Sequence, residues 1–261
     1  MMKALWVGKT GLEAQDIALS TISNNMANAS TTGFKKERAV FEDLIYQVQR
    51  QPGAQSSQNT QLPSGLQLGT GVRTVGTQKV FMQGDLNTTE QPLDMAINGR
   101  GFFQVLLPDG NLSYTRDGTF HIDADGNMVT ANGYLLEPNI VIPEQSKTVT
   151  VGTDGIVTAV SAGDNDPVEI GNIEVVDFVN PAGLQALGNN LFLATAASGQ
   201  AAAGVPSLDG FGSIIQGALE NSNVTIVEEM VDMISTQRAY EMNSKVVSTA
   251  DQMLGFITQN L

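Results

Sequence analysis

The sequence predicts an α+β protein that is mainly β, in which terminal helices paired like a coiled coil flank an inserted antiparallel all-β domain. Apolar residues recur every seven positions at both ends of the 261-residue chain, and tight-turn dipeptides separate short apolar runs in its middle. A polar stretch with proline and glycine lies between the first helix and these runs. We therefore expect a helical domain made of residues 1–30 and 221–261, an intermediate linker region over 31–71, and a β domain over 72–220.

The N-terminal pattern predicts an amphipathic helix from about Lys9 to Asn28. Charged and hydroxyl side chains occupy the side opposite its apolar residues, so that side suits water or a polar neighbour. Gly33 follows three hydroxyl residues and is expected to stop the helical region. The predicted assembly residues of this N-terminal pattern are Leu5, Leu12, Leu19, Ile22 and Met26.

The C-terminal pattern predicts a second, longer helix of roughly 38 residues, about 57 Å long. Asn221, Ser222 and Asn223 are candidate helix caps, and Glu228 and Glu229 fall in the first turn, where the helix dipole favours anions. Ordinary core packing would explain one amphipathic helix, but heptads at both chain ends favour pairing between the two termini. The predicted assembly residues of this helix are Ile226, Met233, Tyr240, Val247, Leu254 and Leu261.

The stretch from Gln47 to Thr70 is predicted to be a polar connection. It holds Pro52 and Pro63 among glycine, glutamine, serine, asparagine and threonine residues. A flexible linker is the simplest interpretation. Structureless stretches of such length in compact proteins are usually functional or disordered, so a functional segment is the alternative.

The middle of the chain is predicted to be all β. Short apolar or alternating runs from Val72 to about Ala203 are separated by Asn-Gly and Asp-Gly pairs, which supply the positive φ angles that tight hairpin turns need. These pairs begin at residues 98, 109, 117, 125, 132 and 154. Their spacing is typical of successive antiparallel hairpins.

The composition argues against most catalytic and cofactor chemistry. The chain has no cysteine, which excludes disulfides, thiolate nucleophiles and the usual zinc sites. It has one histidine, His121, so mechanisms that need two histidines are excluded as well. Asp123 to Asn127 resembles the start of a calcium loop, but Tyr134 occupies the twelfth position, where a bidentate glutamate is needed. The acidic pairs lie in turn-rich stretches without the sheltered acid that glycosidase chemistry requires. We therefore expect no enzyme activity, no cofactor and no metal.

The charge and hydropathy patterns narrow the partners. The formal net charge is −14, so the chain as a whole would repel a nucleic acid backbone. Residues 71–220 hold 17 acidic and 5 basic residues, a net charge of −12, which indicates a solvated acidic body. No apolar run is long enough for a transmembrane helix, and the N-terminal residues lack the apolar core of a cleavable signal. The chain is expected to be cytosolic, or to leave the cell by a route that cleaves no signal.

Together these features indicate a subunit that assembles with copies of itself. The apolar stripes at both ends exceed what their own domain can cover, while the acidic β domain supplies solubility. A head-to-tail contact that does not close produces a helical filament. A solitary secreted β-rich binding module is the alternative of a different class, and it leaves both heptad helices unexplained.

Specific residues then resemble a known family. The first helix and the loop after it carry a motif similar to the signature of bacterial flagellar basal-body rod and hook axial proteins, namely Asn24, Asn25, Ala27, Asn28, Thr31, Gly33, Phe34 and Lys35. Ser244 to Leu254 is similar to the C-terminal counterpart of that signature. A third segment resembles one particular to the distal rod members, and it comprises Gln51, Pro52, Gly53, Ala54, Gln55, Ser56, Ser57, Leu62, Pro63, Ser64 and Gly65.

The resemblance implies a structural subunit of the flagellar distal rod, located in the basal body, where the rod spans the periplasm. It implies a straight, rigid, hollow drive shaft that transmits torque from motor to hook through the ring bushing, and a segment from Gln51 to Gly65 that keeps the rod straight. The implied partners are copies of the chain, proximal rod proteins, the hook protein, P- and L-ring proteins, a rod cap or scaffold, and the flagellar type III export apparatus, which cleaves no signal peptide. A proximal rod or hook-type axial subunit is the closest alternative.

Overall fold

A computed structural model describes residues 2–53, 55–57, 60–61, 63–143, 145–161 and 166–259. Its described residues divide into two compact units. The helical unit contains those of Met1–Ala27, Glu37–Gln78 and Thr225–Leu261, and the β unit contains those of Asn28–Lys36 and Lys79–Val224. The helical unit therefore draws on both ends of the chain and on part of the region predicted to be a linker.

The described residues form two long helices and many short strands, as the sequence predicts. The helices are α1 (Met2–Ala27) and α2 (Ile226–Gln259), and Pro181–Gly183 forms a 3-10 turn. Neither helix in this described part of the chain is long and apolar enough to span a membrane. The strands are β1 (Glu37–Asp43), β2 (Tyr46–Arg50), β3 (Gln55–Ser57), β4 (Thr60–Gln61), β5 (Leu66–Gly69), β6 (Val72–Lys79), β7 (Leu86–Thr88), β8 (Met95–Asn98), β9 (Phe102–Leu106), β10 (Leu112–Thr115), β11 (Phe120–Ile122), β12 (Met128–Thr130), β13 (Leu135–Glu137), β14 (Ser146–Val151), β15 (Ile156–Ser161), β16 (Val168–Asn172), β17 (Val175–Asp177), β18 (Gln185–Gly188), β19 (Leu191–Leu193), β20 (Ala202–Gly204), β21 (Ser213–Gln216) and β22 (Ala218–Glu220).

Helix α1 begins at Met2, so the predicted start at about Lys9 is wrong. Gly8 and Gly11 are weak helix formers by intrinsic propensity. In the structure both glycines lie against side chains of α2, so tertiary packing compensates for their low propensity. The helix ends at Ala27, six residues before Gly33, and the prediction that Gly33 stops it is therefore also wrong.

Helix α2 begins at Ile226, and the caps predicted at residues 221–223 do not cap it. The backbone N–H of Glu229 donates to the carbonyl oxygen of Thr225, which makes Thr225 the residue at the helix start. Asn223 instead donates from Nδ2 to the carbonyl oxygens of Val80 and Met82 inside the β unit. Glu228 and Glu229 do lie in the first turn, as predicted.

The predicted polar connection contains a β-ribbon, so the interpretation as a flexible linker is wrong for its described residues. Strands β2 and β5 pair antiparallel, with Tyr46 opposite Gly69 and Arg50 opposite Leu66. Strands β3 and β4 pair with each other within the loop that joins β2 to β5, and β1 pairs with β6. Polar residues form strands here because their backbone groups find partners across the ribbon.

The β unit is built from antiparallel hairpins around a nine-stranded sheet in the order β11, β12, β13, β9, β10, β19 and β18. Strand β17 also pairs with β9, and β20 pairs with β17. Its core includes Phe103, Phe120 and Met128, which are fully buried. Gly110, Gly126, Gly133 and Gly155 have φ between 77° and 84°, so four of the predicted Asp-Gly and Asn-Gly pairs form tight turns. Asp117-Gly118 instead lies against the backbone of Met95 and forms no hairpin turn.

Candidate functional site

The two terminal helices pack antiparallel against each other inside the helical unit. A Cβ atom added to Gly8 would lie 2.7 Å from Val247 Cγ2, and one added to Gly11 would lie 3.1 Å from Asn243 Nδ2. Near the opposite end of α1, Asn25 is hydrogen-bonded to Glu229. The helices approach closely at Gly8 because this position has no side chain.

The most buried positions along this helix pair are small or polar. On α1 they include Thr10, Ala14, Thr21 and Asn25 beside Gly8, and on α2 they are Glu229 and Ala250. Large apolar residues are absent from this list within the described part of the two helices. A seam of this kind fixes the register of the pair but buries little apolar surface.

The predicted heptad residues lie mostly beside this seam and are only partly covered. Leu5, Leu12, Leu19, Ile22 and Met26 of α1, and Met233, Val247 and Leu254 of α2, are half-buried, whereas Ile226 and Tyr240 are exposed. Leu261 lies outside the described residues. Their role in assembly stays a prediction.

Several large apolar side chains of the helical unit face solvent. Trp6 is 57% exposed and Val231 is 59% exposed, although both stand on helices whose other faces are packed. Soluble proteins rarely leave so many large apolar groups uncovered on one unit. The exposed set includes Trp6, Val7, Ile45, Tyr46, Val48, Leu66, Leu68, Val227, Met230, Val231, Ile234, Met242, Val246 and Met253.

Asn25 of the signature motif connects three segments of the helical unit. Its Nδ2 donates to the carbonyl oxygen of Glu37 (2.8 Å) and to Glu229 Oε2 (3.2 Å), and its Oδ1 accepts the backbone N–H of Glu37 (2.9 Å). The amide thereby binds the first residue of β1 on both backbone groups and also reaches α2. Because Asn25 is almost fully buried, no water can replace these bonds without rearrangement.

The loop after α1 ends in a buried ionic cluster in the β unit. Lys35 Nζ lies 2.6 Å from Glu220 Oε1 and 2.7 Å from the carbonyl oxygen of Met82. Arg116 Nη1 lies 3.2 Å from the other carboxylate oxygen of Glu220. Lys35, Arg116 and Glu220 are 1%, 4% and 1% exposed, so one carboxylate serves two buried cations. We call these three residues the ionic cluster.

Other motif residues hold the same loop in place. Gly33 has φ 67°, and its N–H donates to the backbone oxygen of Glu220 at 2.8 Å. A Cβ atom there would meet the backbone of Arg116 and Asp117 within 3 Å, so only glycine fits. Lys79 Nζ lies 5.2 Å from the ring centroid of Phe34. Asn28 Oδ1 accepts a hydrogen bond from the Thr31 hydroxyl. Asn24 and Ala27 are exposed near the end of α1.

Sequence reasoning found Lys35 but missed Glu220 and Arg116. Glu220 alternates with buried Ala218 along β22, which is the pattern of a core position occupied by a charge. This alternation is too short to separate from an ordinary surface strand. Arg116 directly follows β10, and nothing in the sequence around this single arginine indicates that it is buried.

Burial lowers the pKa of the Lys35 amine below its usual value of 10.5, and the Glu220 carboxylate opposes this shift. In the pH window between the lowered pKa and 10.5, the unfolded chain holds a proton on Lys35 that the folded chain has released. The free energy of unfolding contributed by Lys35 therefore rises with pH across this window. We expect the difference in unfolding free energy between wild type and Lys35→Met to shift in favour of wild type as pH increases. Urea titrations of both proteins between pH 8 and pH 10.5 measure this difference. A difference that does not change with pH would contradict a lowered pKa for the Lys35 amine.

The helix seam gives a second prediction. Gly8→Leu should destabilise the helix pair by about 1–3 kcal/mol, because the new side chain overlaps Val247. The matched control is Gly255→Leu in α2, where a Cβ atom meets nothing within 4 Å and the gain in helix propensity is about 1 kcal/mol. Far-ultraviolet circular dichroism during thermal unfolding compares the two variants. Equal effects at both glycines would show that the α1 to α2 contact does not limit stability.

The segment that resembles distal rod proteins forms the outer part of the β-ribbon. Gln51 is exposed, Pro52 and Gly53 form an exposed turn, and Pro63 and Ser64 are exposed. Gln55, Ser56 and Ser57 form β3, and Ala54 and Leu62 lie outside the described residues. A Cβ atom on Gly65 would lie 2.5 Å from the carbonyl oxygen of Arg50, so glycine is required where the two strands of the ribbon meet.

Comparison with known proteins decides the family. Three models match the chain: "Flagella basal body rod protein" at residues 5–35, "Flagellar hook protein FlgE/F/G D1 domain" at 96–159, and "Flagellar basal body rod FlgEFG protein C-terminal" at 215–260. A flagellar basal-body rod protein FlgG from Buchnera aphidicola (Schizaphis graminum) is 54% identical over 99% of this chain and 100% of its own length. The chain belongs to the FlgG family. FlgG proteins from Borreliella burgdorferi and Caulobacter vibrioides are 50% and 44% identical, each over at least 99% of both chains.

As a member of the FlgG family, the chain is a structural subunit of the distal rod in the flagellar basal body. The family is a structural one that polymerises with itself and associates with other basal-body components. These full-length matches favour the distal rod over the proximal rod and hook alternatives and leave no basis for the solitary binding module. Asn25, Gly33 and Lys35 all fall within the span matched by the N-terminal family model, whereas Glu220 falls within the C-terminal one.

Proposed function

We propose that subunits of this sequence polymerise through α1 and α2, paired in a coiled-coil-like manner, into a straight, rigid, hollow shaft that transmits torque from the motor to the hook. The terminal segments 1–30 and 221–261 form the assembly domain, 31–71 an intermediate region, and 72–220 an outer β domain. The observation that carries the proposal is the set of large apolar side chains left exposed on the helical unit. Identical copies would cover them, because burial of apolar surface drives association.

The heptad residues fit this proposal. Leu5, Leu12 and Leu19 are half-covered by their own chain and would bury their remaining surface between copies. The seam of small and polar residues sets the register of the pair, and the polymer supplies the apolar burial that the seam lacks. The helices should therefore gain stability on assembly.

The proposed partners besides further copies are proximal rod proteins, the hook protein, P- and L-ring proteins, a rod cap or scaffold, and the type III export apparatus. Family membership supports each of them. The outer β domain, with a net charge of −12 over residues 71–220, would rotate inside the ring bushing as a strongly hydrated surface.

The test compares Val231→Asp with Val179→Asp. Both valines are exposed, Val231 at 59% on α2 and Val179 at 90% in the β unit. A carboxylate at residue 231 should abolish polymer formation, because it would be buried unpaired between copies. Sedimentation velocity and circular dichroism over a concentration series should show wild type and Val179→Asp forming polymers with increased helix content. Equal polymerisation of Val231→Asp, or a wild type that stays monomeric at all concentrations, contradicts the proposal.

A further inference from the structure

One end of the helical unit holds an apolar cavity of about 340 Å³. It lies between the first turns of α1 and the β-ribbon, and its lining includes Lys3, Trp6, Val7 and Leu68. We call it the N-terminal cavity. Trp6, Val7 and Leu68 are all exposed, so the cavity opens to solvent with large apolar groups at its mouth. Lys3 Nζ donates to Gln47 Oε1 across it, which places a cation at the site.

The other end of the helical unit carries an exposed apolar row. Val227, Met230, Val231 and Ile234 of α2 are spaced as neighbours on one helical face, and each is about half exposed or more. We call them the α2 row. In the antiparallel helix pair, Gly8 lies beside Val247, so the α2 row lies about 25 Å along the axis from the N-terminal cavity. One chain cannot place its own row in its own cavity.

The two ends differ in charge. Residues 1–12 and 44–70 contain three basic residues, Lys3, Lys9 and Arg50, and no acidic residue. Two carboxylates border this end: Glu13 forms a salt bridge with Lys9, and Asp43 is hydrogen-bonded to the Tyr46 side chain. Lys3 and Arg50 therefore carry the net positive charge of this end of the helical unit.

Around the α2 row the balance is reversed. Residues 225–238 contain three acidic residues, Glu228, Glu229 and Asp232, and one basic residue, Arg238, so their net charge is negative. Glu229 is buried against Asn25, and Asp232 is exposed on the turn that carries Val231. Apolar complementarity therefore coincides with charge complementarity, which favours the correct register of two ends and opposes contact between like ends.

We infer that the N-terminal cavity of one subunit receives the α2 row of the next, with Lys3 beside the carboxylate of Asp232. This inference rests on the proposed function and names the contact that would join subunits along the shaft. Because the two patches differ and lie at opposite ends, the contact repeats without closing and generates a filament.

Cysteine cross-linking tests the contact, since the natural chain has no cysteine. Val7→Cys with Val231→Cys, and Leu68→Cys with Ile234→Cys, each place one thiol at either end. The ends of one chain are too far apart for an internal disulfide, which needs Cα atoms within about 7 Å. The variants replace the native copy in flagellated cells, and isolated basal bodies are oxidised with diamide. The controls are the single variant Val231→Cys and the pair Val179→Cys with Val231→Cys.

The inferred contact predicts a ladder of dimers, trimers and longer species for at least one designed pair, and reducing agent should collapse it. Rods that assemble but give no more than the control background for both pairs would overturn the inference while leaving the proposed function intact. Complete rods in cells whose native copy is deleted and not replaced would contradict the proposed function itself.

A charge exchange provides a second measurement. Lys3→Asp and Asp232→Lys should each lower the number of rods per exported subunit by up to about fivefold, the range for an exposed charge pair, and the double variant should restore it. Asp109→Lys, in an exposed turn of the β unit, is the matched control and should leave the number unchanged. A double variant as defective as the sum of the singles would refute the pairing of Lys3 with Asp232.

Discussion

Replacing Glu220 with alanine is expected to lower the free energy of unfolding of the β unit by about 3–5 kcal/mol. The carboxylate of Glu220 is the shared partner of Lys35 and Arg116, and it also accepts the backbone N–H of Gly84 at 2.9 Å. Removal would leave buried Lys35 and Arg116 without the carboxylate that they share. It would also release the loop after α1, because Lys35 would keep only the carbonyl oxygen of Met82 among its described partners.

Urea titrations monitored by far-ultraviolet circular dichroism measure this loss of unfolding free energy. The matched control is Glu169→Ala, since Glu169 is exposed on β16 and its removal should change stability by no more than about 0.5 kcal/mol. The triple variant Lys35→Met, Arg116→Met and Glu220→Leu should recover most of the lost stability, because apolar residues of similar volume can replace a buried ionic group. A Glu220→Ala protein as stable as wild type would show that the ionic cluster contributes nothing.

Shortening the ribbon is expected to produce curved or flexible rods while export continues. Arg50 and Leu66 are opposite each other in the ribbon, so replacing residues 51–65 with Asn-Gly joins β2 to β5 through a two-residue turn and preserves their pairing. A direct deletion would leave no turn between these paired residues. The variant thus removes the outer part of the ribbon and keeps the pairing of β2 with β5 at its base.

Electron microscopy of isolated basal bodies measures rod curvature, and the amount of subunit exported is measured in parallel. A second variant, with residues 51–65 replaced by 15 glycine and serine residues, keeps the length of the loop but removes its stiffness. We expect curvature in both variants, because the resemblance implies that the segment from Gln51 to Gly65 keeps the rod straight, and neither variant retains that segment. Straight rods from either variant would contradict that role.

Local patterns predicted much of the fold. Asp-Gly and Asn-Gly pairs at 109, 125, 132 and 154 mark tight turns because glycine readily adopts positive φ, a property of single residues. The same local reasoning failed at Gly8, which lies inside α1, and at Asn223, which binds the β unit rather than capping α2. In each case the partner lies far away in the sequence.

The sequence by itself determined the order of elements, the two terminal helices, the hairpins of the middle region, the absence of cysteine chemistry and the family motifs, because periodicity and turn preferences act over a few residues. Only the tertiary structure decided that Lys35 meets Glu220 across 185 positions, that small and polar residues line the helix seam, and that the N-terminal cavity and the α2 row lie at opposite ends. These features depend on close approach between distant segments, and no local repeat encodes such an approach.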